Sequence, residues 1–169
     1  MELLFRDSVV TREDVSNVIK NNNIDIPEYR LAVIVVLKDK DNNIILQRRG
    51  PKSRDEHNKL EDIGGALEDT DINLIEGLYR EIREEVGDLA QIEIKDFVGA
   101  VLEPKYDIRT NSTVNWLFCI YNGLYLGGEL LINEPGKCLG YEFYKYDELP
   151  TDELSYTSIY FNKIANDMI

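Results

Sequence analysis

The chain contains little cysteine and almost no histidine: its 169 residues include two cysteines, Cys119 and Cys138, and one histidine, His57. Two cysteines are too few to build a disulfide framework, and two reduced thiols are the simpler interpretation. His57 lies in a polar loop, where a single histidine is expected to be exposed. We therefore expect a cytoplasmic protein without structural disulfides.

Long hydrophobic runs are also missing. No apolar segment approaches the roughly 20 residues that are needed to span a bilayer. Residues 1–7 lack the basic segment, followed by a long apolar one, that directs secretion. A chain of 169 residues is long enough to bury a core, and we expect a single domain over residues 1–169 with no membrane segment.

Positive charge is scarce. Nineteen Lys and Arg stand against thirty-two Asp and Glu, which gives a net charge of −13. A surface this acidic repels nucleic acids and anionic membranes, and it disfavours a highly phosphorylated ligand unless metal ions screen the charge. Most of the carboxylates are expected only to aid solubility. The dense acidic group between Glu61 and Glu85 is the exception.

Hydrophobic periodicity and turn residues predict helices that alternate with strands. The predicted helices span residues 11–21, 72–86 and 152–168, and the predicted strands span residues 31–37, 44–47, 92–101, 114–122 and 140–146. Thr11 and Asp14 resemble a capping box at the start of the first helix. Asp71 is the predicted N-cap of the second helix, and Gly87 ends it. This order indicates a mixed α/β or α+β fold with at least one long antiparallel pairing.

The predicted helices are amphipathic, and Val15, Val18 and Ile19 form the apolar stripe of the first. The second helix is predicted to bury Ile72, Ile75, Leu78, Tyr79, Ile82 and Val86. The third helix is predicted to bury Leu154, Ile159, Tyr160 and Ile164. Trp116 lies within an apolar strand and is predicted to belong to the core rather than to stack on a base.

Three glutamates follow one face of the second helix, at positions i, i+3 and i+4: Glu81, Glu84 and Glu85. Like charges at this spacing destabilise a helix by roughly 0.2–0.5 kcal/mol per pair. A hard divalent cation would offset this repulsion, because Mg²⁺ prefers carboxylate oxygens. Arg80 and Arg83 flank the trio. The alternative is a solvated acidic face without a metal.

Residues 80–87, R-E-I-R-E-E-V-G, resemble the Nudix box G-x5-E-x7-R-E-U-x-E-E-x-G-U, where U is a bulky aliphatic residue. Residues 58–68 resemble the loop that enters the box in MutT-type members. Residues 133–138 and 141–150 resemble the closing segment of that group. The resemblance extends over residues 29–150 and predicts a MutT-like Nudix hydrolase.

The sequence departs from the box at several positions. Asp71 stands where the family has glutamate, and eight residues rather than seven separate it from Arg80, which indicates a one-residue insertion. Gly77 occupies a position usually held by alanine, which weakens the helix slightly. Asp88 replaces the final bulky residue. These changes are expected to alter loop geometry and substrate fit more than metal binding.

The resemblance implies a Nudix fold, in which a mixed β-sheet is sandwiched between helices (α/β/α), with an N-terminal helical extension at about residues 1–28. It also implies a set of site residues. The metal ligands would be Glu81, Glu84, Glu85 and the backbone carbonyl of Gly64. Arg80 would orient the catalytic carboxylates. The implied cofactor is Mg²⁺, with Mn²⁺ as a substitute, and the reaction is attack of a metal-activated water on a phosphoanhydride.

Other roles stay open in the sequence. Arg49 resembles a phosphate-contacting arginine, and Glu134 and Glu142 are candidate general bases. The single histidine argues against a Nudix-fold isopentenyl diphosphate isomerase, which is expected to use several.

The resemblance implies a small nucleotide as the substrate, and the compact length and the closing segment favour a nucleoside triphosphate. Pro104 and Tyr106 lie near marker positions of ADP-ribose and dinucleoside polyphosphate hydrolases, respectively, so these substrates remain alternatives. A non-catalytic nucleotide sensor is a further alternative, although such proteins usually lose box glutamates. The chain is expected to be a monomer or a homodimer.

Overall fold

The computed structural model describes residues 1–108 and 110–166. Its helices are α1 (Arg12–Asn21), α2 (Leu74–Val86) and α3 (Tyr156–Ala165). Its strands are β1 (Glu2–Phe5), β2 (Arg30–Lys38), β3 (Ile44–Arg49), β4 (Leu60–Glu61), β5 (Ile63–Ala66), β6 (Gln91–Asp107), β7 (Ser112–Gly127) and β8 (Cys138–Tyr144). A short 3₁₀ turn occupies Tyr146–Glu148.

Strand β2 is buried on both faces, as its run of β-branched residues predicts. Successive side chains point to opposite faces of a sheet, and along β2 they join two different hydrophobic clusters. Val33 packs in one cluster with Val15 of α1 and Leu78 of α2. Ile34 packs in the other cluster with Phe161 of α3. Helices therefore cover both faces of the sheet, and the predicted α/β/α architecture is confirmed.

The two edges of β2 are paired differently: one pairs with two different strands, and the gap between those strands positions the site. One edge of β2 pairs with β7 in parallel along the whole strand, whereas the other pairings between named strands are antiparallel. The opposite edge of β2 is shared between β5, at residues 32–35, and β3, which pairs only at Leu37 and Lys38. β3 then diverges to pair with β4 and β8. A gap opens between β3 and β5, beside the end of α2.

The first two helices differ in how well their starts were predicted. The capping box at α1 is confirmed: the Thr11 side chain accepts a hydrogen bond from the Asp14 amide, and the Asp14 carboxylate accepts one from the Thr11 amide. The predicted N-cap of α2 was wrong. Asn73, not Asp71, caps the helix by accepting a hydrogen bond from the Glu76 amide. Ile72 is consequently outside the helix and 86% exposed, rather than buried.

The N-terminal segment contains a strand as well as the predicted helix, because β1 pairs with β6. β6 and β7 are also longer than predicted and form a long antiparallel hairpin. α3 begins at Tyr156, later than predicted, so Leu154 is buried just before the helix. Met168, the predicted end of that helix, lies outside the described residues. Within residues 1–108 and 110–166, no helix has the length and apolar character needed to cross a membrane.

Candidate active site

A pocket of about 710 Å³ fills the gap between β3, β5 and the end of α2. Residues from these three elements, together with Glu61 of β4, form what we call the acidic floor: Gln47, Glu61, Gly64 and Glu85. Three exposed cations line the same pocket and form what we call the basic rim: Lys52, Arg54 and Lys137. The tip of the β6–β7 hairpin contributes Tyr106, Asp107 and Ile108.

Glu85 is the central carboxylate of the floor. Burial raises its pKa well above the usual value, and the nearby charges of Glu61 and Glu81 raise it further. Two hydrogen bonds oppose this shift: the Gln47 side chain donates to the carboxylate at 3.2 Å, and the Gly64 backbone donates to it as well. Glu85 forms no ion pair with a cation in the described part of the chain. It is therefore a carboxylate that a positive ion would stabilise.

Glu61 is a floor residue to which the sequence analysis assigned no role. Arg49 binds its carboxylate, and Arg49 also binds Asp55 through its side chain at 2.9 Å and its backbone carbonyl at 2.8 Å. Burial raises the pKa of Glu61, while the charge of Arg49 opposes the rise. Gln47 and Glu61 are partners in the β3–β4 ladder. This pairing was the missing signal, since only the strand register brings Glu61 beside Glu85.

Close contacts leave no room for a side chain at Gly64 or at Gly65, the first residue of the box. A Cβ at Gly64 would lie 2.1 Å from the Val33 carbonyl oxygen, and one at Gly65 would lie 2.5–2.7 Å from the carboxyl group of Glu81. Gly65 thereby makes room for the Glu81 carboxylate beside the floor. Burial raises the pKa of Glu81, although its bond to Arg80 opposes the shift.

Arg80 holds the loop before α2 against the helix. Its guanidinium donates two hydrogen bonds to Asp71, at 2.8 and 2.9 Å, and one to the Ala66 carbonyl at 3.0 Å. It also binds Glu81 at 3.0 Å and Glu84 at 3.2 Å. Asp71, the residue that departs from the box, is thus the main anchor of Arg80. Glu84 is exposed and lies outside the pocket lining.

The altered loop before α2, with Asp71, and the glycine at position 77 have one structural explanation. A Cβ at Gly77 would lie 2.3 Å from a methyl group of Leu67 and 2.9 Å from the Asp71 carboxylate. The shorter Asp71 side chain thus accompanies a loop that packs directly onto the helix. Alanine at position 77 would collide with that loop. Asp71 lies in the loop, before α2 begins at Leu74, and the three glutamates lie at positions i, i+3 and i+4 of one continuous helix.

The structure separates the two candidate general bases. Glu134 lines the pocket, with its carboxylate 3.5 Å from the Lys137 ammonium group. Glu142 does not line the pocket. Arg48 binds it with two hydrogen bonds, at 2.7 and 2.8 Å, and this pairing lowers its pKa. Successive residues of β3 point to opposite faces, so Arg48 and Glu142 lie on the face away from Gln47 and Arg49.

The other residues considered from the sequence belong neither to the acidic floor nor to the basic rim. His57 is exposed and hydrogen-bonded to the Ser53 carbonyl. Trp116 is partly buried, with the Arg30 guanidinium 5.0 Å from its ring centre. Cys119 and Cys138 are both free and buried, and Cys138 borders the pocket.

The oxygen donors at the floor suit a hard divalent cation but are not preassembled around one. Among residues 1–108 and 110–166, no three Asp, Glu, His or Cys side chains are placed to hold an ion. Arg49 and Arg80 instead bind two of the nearby carboxylates, those of Glu61 and Glu81. Glu85 lacks such a partner, and Mg²⁺ needs only one or two carboxylates when waters and phosphates complete its shell. The residues therefore fit the ion.

Solved structures share this fold at low sequence identity. A MutT NUDIX hydrolase from Burkholderia pseudomallei is 20% identical, with a TM-score of 0.62 over 81% of this chain and 98% of that one. A MutT protein from Methanosarcina mazei Go1 is 19% identical, with a TM-score of 0.62 over 85% and 98%. The NUDIX domain of Shewanella oneidensis NrtR, crystallised with ADP ribose, is 15% identical, with a TM-score of 0.63 over 91% and 97%.

No curated protein sequence matches the chain. The family model of the NUDIX domain matches residues 28–162, which is most of the chain. This match includes the acidic floor, α2 with its three glutamates, and the segment that carries Glu134. The chain therefore belongs to the NUDIX domain family, the Nudix hydrolases whose signature its α2 sequence carries.

Proposed function

We propose that this chain hydrolyses a phosphoanhydride bond of a nucleoside triphosphate or a related nucleotide, with Mg²⁺ as the cofactor and Mn²⁺ as a substitute. The observation that carries the proposal is Glu85, a carboxylate without a cationic partner among the described residues, on the floor of an open pocket. Glu61 and Glu81 add negative charge beside it. Such a cluster destabilises the apo protein unless a cation binds.

The residues around the floor have distinct roles in this proposal. Glu85, Glu81, Glu84 and the Gly64 carbonyl would hold the ion. Arg80 orients Glu81 and Glu84, and Arg49 orients Glu61. A bound divalent cation supplies a water of lowered pKa and neutralises charge on the phosphate oxygens. The phosphoanhydride bond breaks as the water oxygen bonds to phosphorus, and the leaving phosphate takes the bonding electron pair.

Glu134 is the proposed acceptor of the proton from the attacking water. It is the candidate base that lines the pocket, whereas Arg48 binds Glu142 on the other face. A Glu134→Gln variant should retain its KM but have a kcat lowered by about 100-fold or more, because general-base catalysis is lost. An unchanged kcat would assign the base to another group.

The main test is turnover of a nucleotide panel in the presence of Mg²⁺. Glu85→Gln should lower kcat by at least about 100-fold, because stabilisation worth several kcal/mol depends on the ion. Glu84→Gln should have a smaller effect, since Glu84 is exposed and bound to Arg80. Glu76→Gln, an exposed position in the first turn of the same helix, is the matched control. Unchanged rates in both Glu84 and Glu85 variants would exclude the assigned metal role.

A dinucleoside polyphosphate is the second candidate substrate. Tyr106 lines the pocket, whereas Pro104 is exposed and lies outside its lining. The residue near the dinucleoside polyphosphate marker is therefore placed to contact a ligand, and the residue near the ADP-ribose marker is not. The same panel distinguishes these substrates. Nucleotide binding without turnover of any member would identify a non-catalytic sensor.

A further inference from the structure

The basic rim is unusual in a chain that carries a net charge of −13. Lys52 and Arg54 are exposed, and their side chains form no ion pair or hydrogen bond within residues 1–108 and 110–166. Lys137 is bound only loosely, with its ammonium group 3.5 Å from Glu134. The pocket lining also contains five acidic residues, so the three cations do not make the pocket positive as a whole. They are instead exposed donors that could bind a multiply charged anion directly at one part of the pocket.

The rim is built by two loops that are joined through their backbones. The Gly50 amide donates a hydrogen bond to the Lys137 carbonyl at 2.8 Å, and the Lys52 amide donates one to the Gly136 carbonyl at 2.7 Å. These bonds bring Lys52 and Lys137 together from segments that are far apart in sequence. The rim is therefore a fixed part of the pocket rather than a chance grouping on a single loop.

Packing against Gly136 also fixes the direction of the Lys52 side chain. Its methylene groups cross Gly136, where a Cβ would lie 2.5 Å from the Lys52 Cδ atom. Gly136 has no backbone conformation that requires glycine, so the absence of a side chain serves this contact. Arg49 leads into the same loop but is engaged with Glu61 and Asp55. The cations that remain available to bind an anion are therefore those of the basic rim.

We propose that Lys52, Arg54 and Lys137 bind substrate phosphates beyond the phosphoanhydride at the acidic floor, and so select nucleotides with three or more phosphates. This inference rests on the proposed function. A substrate with two phosphates would place both at the floor and leave the rim unpaired. Because the rim contacts groups that do not react, it binds substrate and transition state alike, and its loss raises KM rather than lowering kcat.

The first experiment compares Lys52→Gln/Arg54→Gln with the native protein on three substrates: a nucleoside diphosphate sugar, a nucleoside triphosphate and a dinucleoside tetraphosphate. The KM of the longer two should rise by about 10-fold or more, as charged hydrogen bonds are lost. The KM of the diphosphate sugar should change by less than about 2-fold on the same basis. Lys40→Gln, an exposed lysine in the β2–β3 turn, is the control for net charge.

A second variant tests the rim without altering charge. Gly136→Ala should displace Lys52 and raise the KM of the longer substrates in the same direction, by a smaller factor. If Gly136→Ala and the double variant both leave the discrimination between short and long substrates unchanged, the rim has no part in phosphate selection.

Direct binding separates this inference from the proposed function. Inorganic tripolyphosphate, titrated calorimetrically in EDTA, should bind the native protein and Lys40→Gln equally, and the double variant about 10-fold more weakly. Equal binding to all three proteins, or an equal loss of kcat/KM on every substrate, would overturn the inference. If no nucleotide is hydrolysed but tripolyphosphate binding depends on the rim, the proposed function fails and the phosphate site stands.

Discussion

Glu61 and Asp62 are consecutive acids, yet their side chains enter opposite environments. Glu61 faces the open pocket, where Arg49 binds it. Asp62 faces the interior beneath α3, where its amide donates to the Ser158 hydroxyl and its carboxyl group accepts from the Asn162 amide, each at 2.9 Å. Burial raises the pKa of both residues, and it raises the pKa of Asp62 to about 8.

The difference shows how its surroundings determine whether a carboxyl group is charged or neutral. At the pocket, charge can be retained because Arg49, and an incoming ion, can balance it. In the interior, one side-chain oxygen of Asp62 and one of Asn162 have no partner within the described residues. A proton on Asp62 supplies the donor that this pair lacks. We therefore expect Asp62 to be a neutral structural acid, and Glu61 to be a charged functional one.

The largest expected effect concerns Glu61. Glu61→Gln should lower kcat by about 100-fold, because it removes charge from the acidic floor and releases Arg49. The free energy of unfolding should change little, because the removal of a desolvated charge offsets the lost bond to Arg49, which keeps Asp55 as its partner. Steady-state kinetics at saturating Mg²⁺ would measure the effect, with Glu129→Gln, an exposed position after β7, as the control. A normal kcat in Glu61→Gln would place this residue with Asp62 as structural.

The second-largest expected effect is the pH dependence of the free energy of unfolding. Between pH 5 and 7 the folded state keeps a proton on Asp62 that the unfolded state has lost, so the free energy of unfolding falls as pH rises. The expected fall is about 2.7 kcal/mol over these two pH units. Denaturant unfolding at several pH values would measure it. Asp62→Asn, which imitates the neutral acid, should remove the part of the slope that comes from Asp62 and leave the part that comes from Glu85, whose pKa burial also raises. An unchanged slope would mean that Asp62 is ionised.

Deleting the Asp62 side chain should have a smaller effect. Asp62→Ala should lower the free energy of unfolding by about 2 kcal/mol at pH 6, because the Asn162 amide loses its acceptor in the interior. Asp62→Asn is the matched control and should be close to native at this pH. If both variants unfold alike, the hydrogen bonds of the pair contribute nothing measurable.

The smallest effect is that of Mg²⁺ on stability. At ten times its Kd, Mg²⁺ should raise the free energy of unfolding by about 1.4 kcal/mol, because it binds only the native state. The increase should persist in Asp62→Asn and be smaller in Glu61→Gln, where the acidic floor carries less negative charge beside Glu85. Equal increases in the free energy of unfolding of the two variants would show that Mg²⁺ binding does not depend on the charge of Glu61.

Much of the fold follows from local patterns in the sequence. The β-branched run of β2 predicted a strand buried on both faces, and the Thr11–Asp14 pair predicted the start of α1. The incorrect predictions concern elements whose position depends on residues that are distant in sequence. β1 is short and is stabilised by pairing with β6. Asp71 could not be distinguished from Asn73 as a cap because its partner, Arg80, lies nearly two turns into the helix.

The candidate site divides in the same way. Glu81, Glu84 and Glu85 share a helix face because helical periodicity brings positions i, i+3 and i+4 together, and this required only the sequence. Tertiary structure decided which of them meet the pocket. Glu85 lines it, Glu81 lies against Gly65 beside it, and Glu84 stays in solvent with Arg80.

The sequence by itself determined the family signature, the acidic helix face and the strand that forms the centre of the sheet, because these depend on spacing along one segment. Only the tertiary structure decided that Glu61 joins the floor, that Glu142 is turned away, and that Lys52 and Lys137 share a rim. These outcomes depend on strand register and on hydrogen bonds between loops that are distant in sequence, and no local pattern encodes them.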